Sequence, residues 1–121
     1  ISFTDNLLEG SIPPEYAKLV NLDTLSLSFN LMDGPLASFV FEYEDMVHLD
    51  LAHNFFTGTL PDGLHLTEPN LQDLFLENND LQGTIPDTFA NVDWKRLHLN
   101  GNNFGGTIPR KINAPHLEEL K

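Results

Sequence analysis

His48, Asp50, Asp73 and His98 form the one cluster of this sequence whose residue types suit acid/base work or metal ligation. Imidazoles exchange protons near neutral pH, carboxylates accept them as general bases, and both are common zinc ligands. Their spacing has an order: His48 and Asp50 are separated by one residue, as are Asp73 and Phe75, and Arg96 and His98. Alternate residues of an extended strand project from the same face, so each pair belongs on one side of a short strand. Three such strands set side by side would gather imidazoles, carboxylates, a guanidinium and a phenyl ring on one surface. In that arrangement Asp73 falls between His48 and Arg96, and a cross-strand ladder of alternating charge accounts for these residues without metal or catalysis. No Ser-His-Asp spacing, phosphate-cradling glycine loop or Cys/His framework accompanies them. No catalytic residue, metal ligand or cofactor is therefore assigned, and the chain is expected not to be an enzyme.

The strands come from a repeat. Asn6-Leu7-Leu8-Glu9-Gly10-Ser11-Ile12-Pro13 recurs from Asn30, Asn54, Asn79 and Asn102, at intervals of about 24 residues. Before these phrases stand Leu25-Ser26-Leu27, Leu49-Asp50-Leu51, Leu74-Phe75-Leu76 and Leu97-His98-Leu99, each alternating with period two. Three residues upstream of each lies another apolar anchor, Leu22, Met46, Leu71 or Trp94. The period and the L-x-x-L-x-L-x-x-N-x-L pattern predict a leucine-rich repeat solenoid. Residues 1–121 are read as a single array of about five repeats, both ends falling within a repeat, so that the chain reads as a piece of a longer array.

Four copies of the phrase end in Gly-x-[Ile/Leu]-Pro with Ser or Thr at x. On this motif the whole chain resembles the plant-type extracellular leucine-rich repeats of receptor-like proteins and receptor-like kinase ectodomains. The resemblance implies a parallel β-sheet on the concave face and irregular or short helical or 3-10 segments on the convex face. It also implies that Gly opens a turn, that the next Ile or Leu drops into the core and that Pro starts the return. Repeat two departs, with Ala37 in the Pro position, Pro35 two places earlier and Phe39-Val40-Phe41 in the return stretch. Glu42-Tyr43-Glu44-Asp45 is expected to be a solvated convex face, Trp94 to be core, and His65 and His116 to lie at the surface of return loops.

Asn6, Asn30, Asn54, Asn79 and Asn102 are read as a structural ladder. Each marks the point where the chain turns off its strand, and one side-chain amide offers donors and an acceptor to backbone groups left without strand partners.

Aligning the repeats lines up the outward positions of the concave sheet. One column reads Thr24, His48, Asp73, Arg96, Glu119; the next reads Ser2, Ser26, Asp50, Phe75, His98, Lys121. Two further columns run Thr4, Ser28, Ala52, Glu77, Asn100 and Asp5, Phe29, His53, Asn78, Gly101. The candidate ligand-binding residues are His48, Asp50, Asp73, Phe75, Arg96 and His98, with Phe75 as an aromatic anchor on a polar sheet.

Composition narrows the partners. The formal net charge is −12, and before Trp94 the only basic residue is Lys18; Lys95, Arg96, Arg110, Lys111 and Lys121 all follow it. Phosphate neutralisation needs clustered Lys and Arg, so no nucleic-acid partner is expected. The chain has no cysteine, no N-x-[Ser/Thr] sequon and no apolar run of membrane-spanning length. Direct membrane contact is not expected of this segment, and any membrane span belongs outside it. The expected function is non-enzymatic recognition of a protein or peptide, outside the cell or at its surface. The alternatives are a structural or accessory subunit of a larger extracellular assembly, or an inhibitor of wall-degrading enzymes.

Overall fold

The computed structural model describes residues 1–62, 70–110, 112 and 116–121. Its strands, in chain order, are β1 (Glu9–Gly10), β2 (Thr24–Ser26), β3 (Leu31–Pro35), β4 (His48–Asp50), β5 (Phe55–Thr59), β6 (Asp73–Phe75), β7 (Asp80–Thr84), β8 (Arg96–His98), β9 (Asn103–Gly105) and β10 (Glu119–Leu120). They form two parallel sheets. The even-numbered strands pair in sequence order, β2 to β10, and the odd-numbered strands pair in order from β1 to β9.

The first sheet is the concave one, and each of its four expected strands begins one residue earlier than the leucine pattern placed it. Leu25, Leu49, Leu74 and Leu97 stand opposite one another across β2, β4, β6 and β8 and are completely buried. Equivalent leucines coincide because parallel stacking superposes equivalent positions, so every interior repeat buries the same side of its strand. Beyond the strand ends, backbone bonds such as Leu27 N to Asp50 O at 2.8 Å and Leu51 N to Phe75 O at 2.9 Å continue the pairing.

The second sheet is the part the sequence reading missed. It is built from the Asn-Gly phrase itself, with Met32, Phe56 and Leu81 pointing inward and Leu31, Asp33, Phe55 and Thr57 outward. Its register is staggered: Asp33 pairs with Phe55 and Thr57 with Asp80, two residues from the equivalent position in the next repeat. Gly34, Gly58, Gly83 and Gly106 have φ of 80°, 89°, 85° and 78°, the left-handed region glycine adopts without a Cβ penalty, but the first three lie inside β3, β5 and β7 rather than opening the turn expected of them. A Cβ on Gly83 would also lie 2.9 Å from Thr59 Cγ2, because the Thr of the preceding repeat covers it.

The core lies between the sheets, and Leu22, Met46, Leu71 and Trp94 close it on the return side. Fully burying each large apolar side chain contributes roughly 1.5 to 3 kcal/mol. Trp94 is core as expected; its Nε1 donates to the Phe89 carbonyl at 2.9 Å. The return stretches form 3-10 turns at Pro14–Lys18, Ser38–Phe41 and Asp87–Asn91, entered through Pro13, Ala37 and Pro86 in extended conformation. Ala37 thus serves where Pro was expected, and Val40 and Phe41 fill the core below it.

Two expectations need correction. Tyr43 is not part of a solvated face: it packs against the core and its hydroxyl donates to the Tyr16 carbonyl at 2.6 Å, while Glu42, Glu44 and Asp45 are exposed. Ile108 is 70% exposed, unlike its equivalents Ile12, Leu36 and Leu60 in the core, because no described side chain is stacked over it. His116 is exposed and pairs with Asp93 at 2.8 Å. His65 and Lys111 lie outside the described residues.

Candidate ligand-binding surface

The surface is set by how each repeat leaves its concave strand. The residue before each ladder Asn has positive φ: Asp5 60°, Phe29 55°, His53 53°, Asn78 56° and Gly101 67°. This left-handed residue swings the chain off the first sheet toward the second. The Asn that follows then ties two repeats together. Asn54 Oδ1 accepts from Met32 N at 3.0 Å, while its Nδ2 lies within donating distance of the Leu27, Leu51 and Ala52 carbonyls. Asn30, Asn79 and Asn102 repeat the pattern, accepting from Leu8, Phe56 and Leu81 respectively. Asn6 is the exception. It is exposed and, among the described residues, reaches only the Phe3 and Thr4 carbonyls of its own repeat.

On this scaffold the register places the candidate residues in adjacent columns. His48 pairs with Asp73 and Asp73 with Arg96, while Asp50 pairs with Phe75 and Phe75 with His98. Arg96 holds Asp73 by two bonds, Nε to Oδ1 at 2.9 Å and Nη2 to Oδ2 at 2.6 Å, and His48 Nδ1 lies 3.4 Å from the same Oδ2. Burial opposes the Asp73 charge, since the residue is only 8% exposed, but the hydrogen bonds from Arg96 and His48 outweigh it and hold the carboxyl below its usual range. The same contact raises the Arg96 pKa.

Phe75 sits at the centre. Its ring is 5.3 Å from the His48 ring, 4.8 Å edge-on from the His98 ring and 5.2 Å from the Arg96 guanidinium carbon. These contacts fix the ring while leaving it half-exposed on the sheet. Asp50 is held differently. It accepts from Ser28 Oγ at 2.6 Å and from the Ala52 amide at 3.2 Å.

Glu119 leaves its column. Instead of extending the Asp73–Arg96 ladder by contact, it pairs with Lys121 and lies 3.1 Å from His98 Nε2, because those partners stand one column over on the same sheet. The bond to Lys121 lowers its pKa. His98 is consequently buried between two carboxylates, with Nδ1 3.4 Å from Glu77 Oε1. Its Nε2 is at ion-pair distance from Glu119 without hydrogen-bond alignment, and Glu77 Oε2 is buried without a partner among the described residues.

Sequence reasoning did not single out Glu77, Ser28 or the Phe29–His53 pair as part of this surface. Phe29 stacks flat on His53, centroids 4.0 Å apart and planes 13° apart, and His53 Nε2 lies 3.3 Å from Asn78 Nδ2. The signal was present: these three precede consecutive ladder asparagines and had been aligned as one column.

The strip is an open surface. Cavities of about 290 Å³ beside Phe3, Leu8 and Met32, and of about 1050 Å³ beside Asp87, Ile108 and Arg110, include none of its residues. Among the described residues, no group of three or more His, Asp or Glu is gathered as a metal site, and no helix is long and apolar enough to cross a membrane.

Stacked parallel strands, an internal Asn ladder and a polar concave face define a leucine-rich repeat protein, and the chain belongs to the Leucine Rich Repeat family, which matches residues 45–66, 70–92 and 94–114. Its relatives include two Arabidopsis thaliana proteins: Receptor-like protein 31, 34% identical over 80% of this chain, and Receptor-like protein 39, 36% identical over 92%. The chain spans only 11% and 13% of their respective lengths. Among solved structures it is similar to the Arabidopsis receptor kinase HAESA, solved in complex with the peptide hormone IDA and the co-receptor SERK1. That match has a TM-score of 0.83 and 32% identity, covering 88% of this chain and 18% of the other.

Proposed function

We propose that this segment is a non-enzymatic recognition module that binds a protein or peptide through His48, Asp50, Asp73, Phe75, Arg96 and His98, outside the cell or at its surface. The observation that carries this reading is the Phe75 ring, half-exposed on a sheet and braced by two imidazoles and a guanidinium. An anchor already fixed in place loses little side-chain entropy when a ligand covers it. Around it stand charges of both signs, which give a ligand direction and register. The peptide hormone bound by HAESA supports this reading.

The test is selection of binders from a displayed random peptide library against the protein, followed by titration of the selected peptides against variants. Phe75→Ala and Arg96→Ala should each weaken binding by about tenfold, as expected of an aromatic or Arg hot spot. Unchanged affinity in both variants would remove the contact from this strip and favour an accessory-subunit role.

A further inference from the structure

The outward face of the second sheet carries a different pattern from the concave strip, and the inference drawn from it does not depend on that strip. Leu31 and Phe55 are 40% and 53% exposed, at equivalent positions in consecutive repeats. The staggered register gives each a carboxylate as its cross-strand neighbour, Glu9 beside Leu31 and Asp33 beside Phe55, and then sets Asp80 beside Thr57. None of these three carboxylates has an ion-pair partner among the described residues. Single exposed apolar residues are ordinary. An apolar side chain paired with a free carboxylate, twice in succession, is a specific chemistry.

That chemistry matches lysine and arginine, whose aliphatic stems cover apolar surface while the charged head reaches beyond it. The Phe55 ring adds an attractive face for a cation. Geometry agrees with an extended ligand. Leu31 stands two residues from Asp33, the partner of Phe55, so Leu31 and Phe55 are diagonal neighbours, about 7–8 Å apart. Alternate side chains of an extended chain are separated by about 6.8 Å. Charge agrees as well, since Lys18 is the only basic residue before Trp94. We propose that this face binds an extended cationic segment of a partner protein, placing alternate Lys or Arg side chains over Leu31 and Phe55 with their heads toward Glu9, Asp33 and Asp80.

Fluorescence anisotropy with a labelled, amidated peptide of alternating Lys and Ser tests this, beside an otherwise identical peptide of alternating Glu and Ser. The Lys peptide should bind, the Glu peptide should not, and affinity should fall as salt rises from about 50 mM to about 500 mM. Phe55→Ser and Asp33→Asn should each weaken binding by about three- to tenfold. Glu42→Gln, an exposed carboxylate on the return side, should leave it unchanged. Asp33→Asn alters only an exposed carboxylate, so it decides the matter even if Phe55→Ser unfolds. The proposal is overturned by no binding of the Lys peptide, by equal binding of the Glu peptide, or by an equal loss from Glu42→Gln, which would reduce the effect to bulk acidity. Sedimentation showing a dimer that Phe55→Ser dissociates would also overturn it, assigning the face to self-association.

Discussion

Arg96 grips Asp73 with both ends of its guanidinium fork, Nε at 2.9 Å from Oδ1 and Nη2 at 2.6 Å from Oδ2, and this pairing joins β8 to β6 through side chains as well as backbone. The carboxylate is nearly buried and the guanidinium side chain 42% exposed, so one partner needs the other more. Removing the cation strands a charge, whereas removing the carboxylate releases Arg96 to solvent.

This pairing gives stability a pH dependence. The Asp73 pKa is lower folded than unfolded, so its contribution is present above the unfolded value of about 3.9 and is lost as pH falls through that value and the lower folded one. Asp73→Asn should therefore melt below the wild type at about pH 6, with the gap narrowing by about pH 2 to 3. Thermal melts of both proteins across that range measure it. A gap that stays constant would show that the charge of Asp73 contributes nothing.

The asparagine ladder predicts a contrast between chemically identical substitutions. Asn54→Ala strands the buried Met32 amide, at roughly 1 to 3 kcal/mol, while the Leu27, Leu51 and Ala52 carbonyls each lose one of two donors and keep Asn30 Nδ2, Asn79 Nδ2 and the Phe29 amide. Asn6→Ala removes only exposed contacts within one repeat and should change little. Phe75→Ala, on the surface, should cost less than Asn54→Ala. Urea unfolding of the three variants checks this order.

The glycines of the second sheet should also divide. Gly10→Ala meets nothing within 4 Å and carries only the strain of positive φ, roughly 1 to 2 kcal/mol. Gly83→Ala has the same strain and also meets Thr59 Cγ2, so it should be the more destabilising. Adding Thr59→Ser, which deletes that methyl group, should recover the difference. Equal melting temperatures for Gly10→Ala and Gly83→Ala would rule out a steric role for the Thr column.

Trp94 is the chain's one tryptophan and is fully buried against Phe89, ring centroids 5.4 Å apart. Its fluorescence should shift to longer wavelength on unfolding. Trp94→Phe keeps an aromatic ring but removes the indole donor and leaves the Phe89 carbonyl only the Val92 amide at 3.5 Å, a loss of about 0.5 to 1.5 kcal/mol plus a small cavity term. A denaturation midpoint equal to wild type would count against that bond.

Much of this molecule was legible in the order of its residues because a solenoid superposes equivalent positions. Once Asn6, Asn30, Asn54, Asn79 and Asn102 were aligned, the leucine column, the ladder and the neighbours of Asp73 and Phe75 followed from parallel stacking alone. Tertiary structure decided what repeat spacing does not encode. The second sheet is offset by two residues, so Phe55 meets Asp33 rather than its own equivalent, Leu31, an offset invisible in an alignment. Rotamer choice sent Glu119 to Lys121 and His98, and packing drew Tyr43 from an acidic run onto Tyr16. Periodicity fixes which backbone positions are neighbours; where a long side chain reaches among several neighbours depends on the three-dimensional competition for burial and hydrogen bonds.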